Sequence, residues 1–228
     1  EILEYFKDHP ELEKTLKSRN KESLLKELQK TKEILKGISF LSVSQSKPLG
    51  DGHAILQAKK IIGKDSCGVF FADDIVDSKT PCFLQLTNIF RTSKAPILGL
   101  KKVSDDKISN YGIVQVEQIS SRLYKIKKIV EKPDKKSAPS NLAVIGRYIL
   151  TPEVFSYLEK IKPNAKKEII LADALSKMLD DGKMIYGYEF DGKWLECGTK
   201  SSWVYSFLYL CSKHPEFGPK IKDFIKEI

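Results

Sequence analysis

The chain has 228 residues, of which 41% are hydrophobic, and a formal net charge of +9. That length suits one sizeable domain or at most two small ones. No run approaches 18 consecutive apolar residues, so no membrane span is expected, and no secretory leader pattern is visible. The excess charge raises the question of nucleic acid. Lysines alternate with glutamates in KSRNKESLLKELQKTKEILK, however, as on the mixed face of a solvated helix, and no arginine cluster with interleaved aromatics occurs. A lysine-rich surface with a mild pull on anionic small molecules is the better reading, and a basic nucleic-acid module the weaker one.

Residues 1–36 read as a helical arm, with Leu24, Leu25, Leu28, Ile34 and Leu35 at helical spacing and Pro10 opening one helix. Gly37 stops the run, and ISFLSVS (38–44) alternates as a strand does. The segment 52–63 reads as a short helix closed by Gly63, and SCGVFFADD (66–74) as a continuous apolar strand ending in two acids. A helix over 81–94 and a strand over 96–103 follow. The alternating segments 111–119 and 122–133 are close enough to pair as a hairpin. A strand over 138–150 leads to a helix capped by Thr151 that buries Val154, Phe155, Leu158 and Ile161. A second helix over 167–182 closes at Gly182. A strand over 184–190 and a turn at 191–192 precede a helical segment from Lys200 onward, divided by Pro215 and Pro219. Strands alternating with helices imply an α/β fold with a mostly parallel sheet, in one domain. Within it, 1–36 is the arm, 38–199 the sheet and active-site region, and 200–228 the C-terminal helices.

Cys67, Cys82, Cys197 and Cys211 lie at spacings that suit neither a zinc site nor a redox pair, and read as reduced, buried thiols of a cytoplasmic protein. His9, His53 and His214 are scattered and read as structural. The acids are more informative. Ligands of open α/β sheets bind beyond the carboxyl ends of strands. Asp73 and Asp74 follow VFFA, and a carboxylate pair suits Mg²⁺, a hard cation preferring oxygen. From spacing alone, a turn or helix-capping role is equally open. Glu196 in KWLECGTK is a second such acid. In Glu131-Lys132-Pro133 the lysine suits a phosphate and the glutamate suits sugar hydroxyls, although the motif standing alone reads better as ordinary surface charge before a turn. Asn141 suits a cap before the strand that follows. No nucleophile motif is present. Acids, lysines, amides and glycines are groups that position phosphates with a metal, rather than groups for covalent catalysis.

QSKPLGDGHAILQAK, VFFADDIV, SNYGIV, IVEKP, APSNLAVIGRYILTPEVF, KEIILADAL and YGYEFDGKWLECGTK occur in that order. Together they closely resemble the bacterial UTP–glucose-1-phosphate uridylyltransferases, also called UDP-glucose pyrophosphorylases, over about residues 5–213. The resemblance implies a Rossmann-like nucleotide-diphospho-sugar transferase fold with a mixed, mostly parallel sheet. It implies a cytoplasmic enzyme of carbohydrate metabolism that makes UDP-glucose and pyrophosphate from UTP and glucose 1-phosphate, with Mg²⁺, as a dimer or tetramer.

Carried over by position, Gln45 and Gly50 resemble the pair that reads the uracil. Asp73 resembles the acid that holds Mg²⁺, and Glu196 stands at the second metal acid. Tyr111 and Gly112 resemble the sugar-lining turn, Glu131 the residue bonding glucose hydroxyls, and Lys132 the contact to the sugar-linked phosphate. Val144 falls beside the sugar.

The chain departs from the pattern at four places. Glu196 replaces an Asp and is one methylene longer. Ala72 replaces a Gly. KKEIILADA replaces GGEIQLTDA, which leaves Glu168 and Asp173 without an assigned role. The Gly-rich loop ending in Thr-Arg, which wraps the UTP phosphates in the family, has no counterpart in these 228 residues. If the sheet began with this chain, it would lack central strands and leave open edges. A non-catalytic relative that binds a nucleotide sugar or partners a full-length subunit is the competing expectation. In either case Gly50 serves the base, and the glycines of KPLGDGHAILQAKK do not cradle phosphate.

Overall fold

The protein is described by a computed structural model covering residues 2–227. It divides into two compact units, one up to Ser44 and one from Gln45 onward. The first contains α1 (Ile2–Tyr5), α2 (Pro10–Ser18) and α3 (Glu22–Leu35). Pro10 opens α2 at a position where its missing N–H costs nothing. Neither α2 nor α3 buries a residue fully. Lys32 pairs with Asp8 at 3.0 Å, and Phe6 stacks on Phe40 with centroids 4.3 Å apart. The strand expected over 38–44 does not form, and Ile38, Phe40, Leu41 and Val43 are exposed. Alternation states a preference, but a strand also needs a partner ladder, and none is present among the described residues.

In the second unit α4 (Asp51–Gln57), α5 (Lys59–Ile62), β1 (Cys67–Phe70), β2 (Asp74–Asp77), α6 (Cys82–Ser93) and β3 (Ile97–Lys102) come first. A 3₁₀ turn over Asp105–Asn110 leads into β4 (Gly112–Gln118), β5 (Leu123–Glu131) and β6 (Leu142–Leu150). Then follow α7 (Glu153–Leu158), α8 (Leu171–Asp180), β7 (Tyr186–Glu189), β8 (Lys193–Glu196), α9 (Lys200–Lys213) and α10 (Phe217–Glu227). The main sheet has the order β1-β6-β3-β7-β5-β4, and β4 also meets β6 at Ile113 and Ala143. β2 and β8 form a separate antiparallel pair.

The sheet is mixed, as expected, but it is not mostly parallel: among the described residues only β3 and β7 run parallel. Parallel neighbours need a long crossover. Here β4 and β5 form the expected hairpin, and β6 returns antiparallel to its neighbours. Only β7 is reached across two helices.

The central strands are covered on both faces. Leu98, Leu100, Ile126 and Leu150 pack against Val154, Phe155 and Leu158 of α7 and against Leu171, Ala174, Leu175 and Met178 of α8. That spacing of one, four, five and eight is a helical stripe, and each buried Leu contributes about 1.5–3 kcal/mol. On the other face Ile97, Ile113, Ile145, Ile149 and Phe190 pack with Cys82 and Leu86 of α6; of the four cysteines expected to be buried, Cys82 is, whereas Cys67, Cys197 and Cys211 are half-buried.

Several expected boundaries move. The apolar strand ends at Phe70, so Asp73 lies in a turn and Asp74 opens β2. Thr151 does not cap α7 with its side chain; its carbonyl accepts from Val154 N at 3.1 Å, and Ile161 lies beyond the helix. α8 starts at Leu171 because Lys167 has a positive φ of 62° and Asn164 Oδ1 accepts from Lys166 N and Glu168 N. Pro219 sits inside the first turn of α10, where a missing N–H is tolerated.

Candidate active site

A cleft of about 720 Å³ opens above the β6 face carrying Val144, Gly146 and Tyr148. Alternation along β6 puts these three on one side. Three groups of residues rim it. Gly50 and Asp51 stand with Glu168 and Ile170; Tyr111 and Gly112 stand with Glu131 and Lys132; Asp73 and Asp74 stand with Trp194, Glu196 and Gly198. Of the residues expected from the sequence, every one but Gln45 lines this cleft.

The two adjacent aspartates are split. Asp74 Oδ2 accepts from Gly146 N at 2.8 Å, and Oδ1 accepts from the Trp194 indole N–H. Asp74 is buried, and burial pushes its carboxyl up, opposed by these two hydrogen bonds. Arg147 donates to the carbonyls of Phe71 and Asp74 and so closes the turn between β1 and β2. That turn turns Asp73 away from the strand. A methyl group built on Gly198 would lie 3.1 Å from Asp73 Oδ2 and 3.6 Å from Glu196 Oε1. The two oxygens therefore flank one small opening, kept clear because residue 198 has no side chain. The β2–β8 ladder sets this up by pairing Asp74 with Glu196, and Cys197 N donates to Asp73 O at 2.7 Å.

Among the described residues no cluster of three or more His, Cys, Asp or Glu suited to a metal occurs. Two carboxylates at an open cleft still fit Mg²⁺, which is held by one or two carboxylates and completes its shell with water and substrate phosphate. The other oxygen of Glu196, Oε2, accepts from the Tyr111 hydroxyl at 2.9 Å. Burial, followed by that carboxylate, pushes the Tyr111 phenol up.

On the opposite rim, Gly112 pairs with Glu131 across the hairpin, and a methyl group on Gly112 would lie 3.1 Å from Glu131 Oε2. Glu131 therefore reaches over backbone into the cleft. Burial pushes its carboxyl up, partly opposed by Lys132, whose Nζ lies 3.8 Å from Glu131 Oε1. Lys132 has a positive φ of 46°, and its N–H donates to Tyr111 O at 3.1 Å.

Gln45 is not among the lining residues, and its side chain is turned to the loop. Its amide N–H donates to Gly50 O at 2.9 Å and lies 2.9 Å from His53 Nδ1. Gln57 contacts the other His53 nitrogen at 3.2 Å, so the ring serves the loop, as the sequence suggests. Gly50 has φ of 99°. The loop is clamped to the strand-like segment before α8 through Ile169 N to Leu49 O at 2.7 Å and His53 N to Ile169 O at 3.2 Å.

Sequence reasoning missed several residues. Asp51 Oδ1 accepts from Gly52 N at 2.7 Å and from Leu171 N at 3.1 Å, which joins the starts of α4 and α8. Trp194, Tyr148, Arg147 and Gly198 were missed as well. Only Gly198 and Thr199, which forms a capping box with Ser202 at the start of α9, left a local signal. Glu168 lines the cleft, whereas Asp173 is not among its lining residues.

The chain matches the nucleotidyl transferase family model over residues 13–212. It is 37% identical to a UTP–glucose-1-phosphate uridylyltransferase of Staphylococcus haemolyticus over 227 residues, covering all of this chain and 77% of that protein. A UTP-bound UDP-glucose pyrophosphorylase from Acinetobacter baumannii superposes with a TM-score of 0.87 at 34% identity, over 100% of this chain and 78% of that one. A UDP-glucose pyrophosphorylase complexed with UDP-glucose superposes at 0.82 and 34% identity, over 93% and 77%. The fold and cleft thus define a nucleotidyl transferase, and the chain belongs to the UTP–glucose-1-phosphate uridylyltransferase family.

Proposed function

We propose that this cleft binds the uridine nucleotide and glucose 1-phosphate, and that the protein forms UDP-glucose and pyrophosphate by Mg²⁺-dependent in-line attack of the sugar phosphate on the α-phosphorus of UTP. The observation that carries the reading is the pair of oxygens, Asp73 Oδ2 and Glu196 Oε1, flanking one opening across the cleft from Glu131 and Lys132. The UTP and UDP-glucose in the two related structures support it.

Bound Mg²⁺ would neutralise the crowded phosphate charge as the bond to pyrophosphate breaks. Asp73 and Glu196 would hold it. Lys132 offers a point charge to the sugar-linked phosphate, and Glu131 accepts from the glucose hydroxyls. Gly112 and Val144 shape the wall beside the sugar, and Gly50, fixed by Gln45, lets the base approach backbone. Catalysis on this reading is alignment and charge stabilisation, with no covalent intermediate.

The 228 residues contain no Gly-rich triphosphate loop. The protein they make by themselves is expected to bind UDP-glucose and turn over little. Calorimetry with UDP-glucose and a pyrophosphate-release assay test both halves. Absence of binding in the parent, or undiminished binding in Asp73→Asn with Mg²⁺ present, overturns the site assignment. Robust turnover overturns the low-activity expectation. Binding without turnover in the intact gene product would favour a nucleotide-sugar-binding relative over an enzyme. Self-association into a dimer or tetramer belongs to the same reading, and light scattering tests it.

A further inference from the structure

Glu196 poses a geometric problem. Its side chain is one methylene longer than Asp and has one more rotatable bond, so a carboxylate at the end of β8 has more positions than a two-carboxylate site can use. Tyr111 supplies a constraint. Its hydroxyl donates to Glu196 Oε2 at 2.9 Å, linking the start of β4 to the end of β8 across the cleft. Its ring stands edge-on to the Trp194 indole, with centroids 5.1 Å apart and planes at 67°. Trp194 lies two residues before Glu196, so both point to the same face of β8, and its indole N–H is held by the buried Asp74. The tyrosine ring is thus backed by a fixed indole, and its hydroxyl takes only one of the two glutamate oxygens. The other, Oε1, is the one beside Gly198 and Asp73. A neutral donor can do this without cancelling the charge, whereas a lysine would compete with the cation.

We infer that Tyr111 is a positioning residue for the divalent cation, its hydroxyl holding the longer Glu196 carboxylate so that Oε1 faces Asp73. This rests on the reading that Asp73 and Glu196 hold the cation. It gives Tyr111 a task beyond lining the sugar site, and it explains how Glu serves at this position. The Tyr111–Trp194–Asp74 chain of contacts compensates for the extra methylene.

The test is a Mn²⁺ titration of the 228-residue protein, following free Mn²⁺ by electron paramagnetic resonance. Melting temperature is measured in parallel. Outer partners of metal ligands typically change metal affinity by about 10–100-fold. Tyr111→Phe is therefore expected to weaken Mn²⁺ binding roughly tenfold, with little change in melting temperature. Glu196→Gln is expected to weaken it at least as much. Glu196→Asp shortens the carboxylate out of reach of the hydroxyl, so adding Tyr111→Phe to it should change affinity by less than about twofold.

If Glu196→Gln loses Mn²⁺ while Tyr111→Phe binds like the parent, the inference is wrong and the metal reading stands. If Tyr111→Phe weakens binding equally in the Glu196→Asp background, Tyr111 acts by another route and the inference also falls. If the parent binds no Mn²⁺, or Glu196→Gln binds it unchanged, the metal reading fails first and takes the inference with it.

Discussion

Replacing Gly50 by Ala perturbs the loop that forms one rim of the cleft, and its cost follows from the structure. Gly50 has φ of 99° and ψ of 172°, a region closed to side-chain-bearing residues, at about 1–3 kcal/mol. The new methyl would lie 2.5 Å from Ile169 O and 3.1 Å from Ile169 N, both backbone atoms that cannot rotate away. Moving Ile169 stretches its bond to Leu49 O and the bond it receives from His53 N, each contributing about 0.5–1.5 kcal/mol. The combined loss is about 2–6 kcal/mol. At about 2–4 °C per kcal/mol for a domain this size, the melting temperature falls by roughly 4–24 °C.

Gly182→Ala is the control. It sits just past α8 with φ of 77°, and no atom lies within 4 Å of its added methyl. It should lose only the left-handed penalty of about 1–2 kcal/mol. Thermal melts and urea titrations of both variants measure the difference. A Gly50→Ala loss no larger than that of Gly182→Ala would refute the argument that Ile169 backbone makes residue 50 glycine-only.

Three further outcomes are expected. Asp74→Ala leaves the Trp194 and Gly146 N–H groups without their acceptor and should cost about 2–4 kcal/mol in urea unfolding, whereas Asp73→Ala should leave stability nearly unchanged. Burial and the charge of Asp51 push the Asp173 carboxyl up. A raised carboxyl contributes stability that is full below its unfolded value near 3.9 and is lost as pH rises through the folded one. Asp173→Asn should therefore melt higher than the parent at pH 7.5, with the gap closing toward pH 4; a gap that persists or widens in acid would contradict this. Lys132 is largely exposed and lies 3.8 Å from Glu131. Lys132→Ala should keep its melting temperature while weakening UDP-glucose binding by about tenfold or more in calorimetry, and unchanged binding would remove Lys132 from the phosphate site.

Elements with an internal period were readable. The hairpin of β4 and β5, the α6 helix and the apolar stripe of α8 all declare themselves, because a period of 2.0 or 3.6 reports which face is buried. Boundaries set by remote groups were not readable. VFFADD looks like one strand ending in two equivalent acids. The turn after Phe70 depends on Arg147, some 76 residues away in the chain, whose guanidinium holds Phe71 O. The segment 38–44 carries a strand's alternation but has no ladder. The predominance of antiparallel pairing was also hidden, because a strand's own pattern does not state the direction of its neighbour.

The site divides in the same way. By itself the sequence determined which residue types stand at the ends of the elements, because acids, glycines and a Glu-Lys pair interrupt apolar runs in a recognisable order. Tertiary structure decided which of them share a cleft and what each is free to do. Asp73 and Asp74 are chemically identical neighbours, yet a tryptophan 120 residues away saturates one and leaves the other open. Tyr111 and Glu196 meet only because the fold sets the β2–β8 pair against the turn that leads into β4. Hydrogen bonds and burial act over a few ångströms of space, and one chain leaves no local trace of which distant group will fill them.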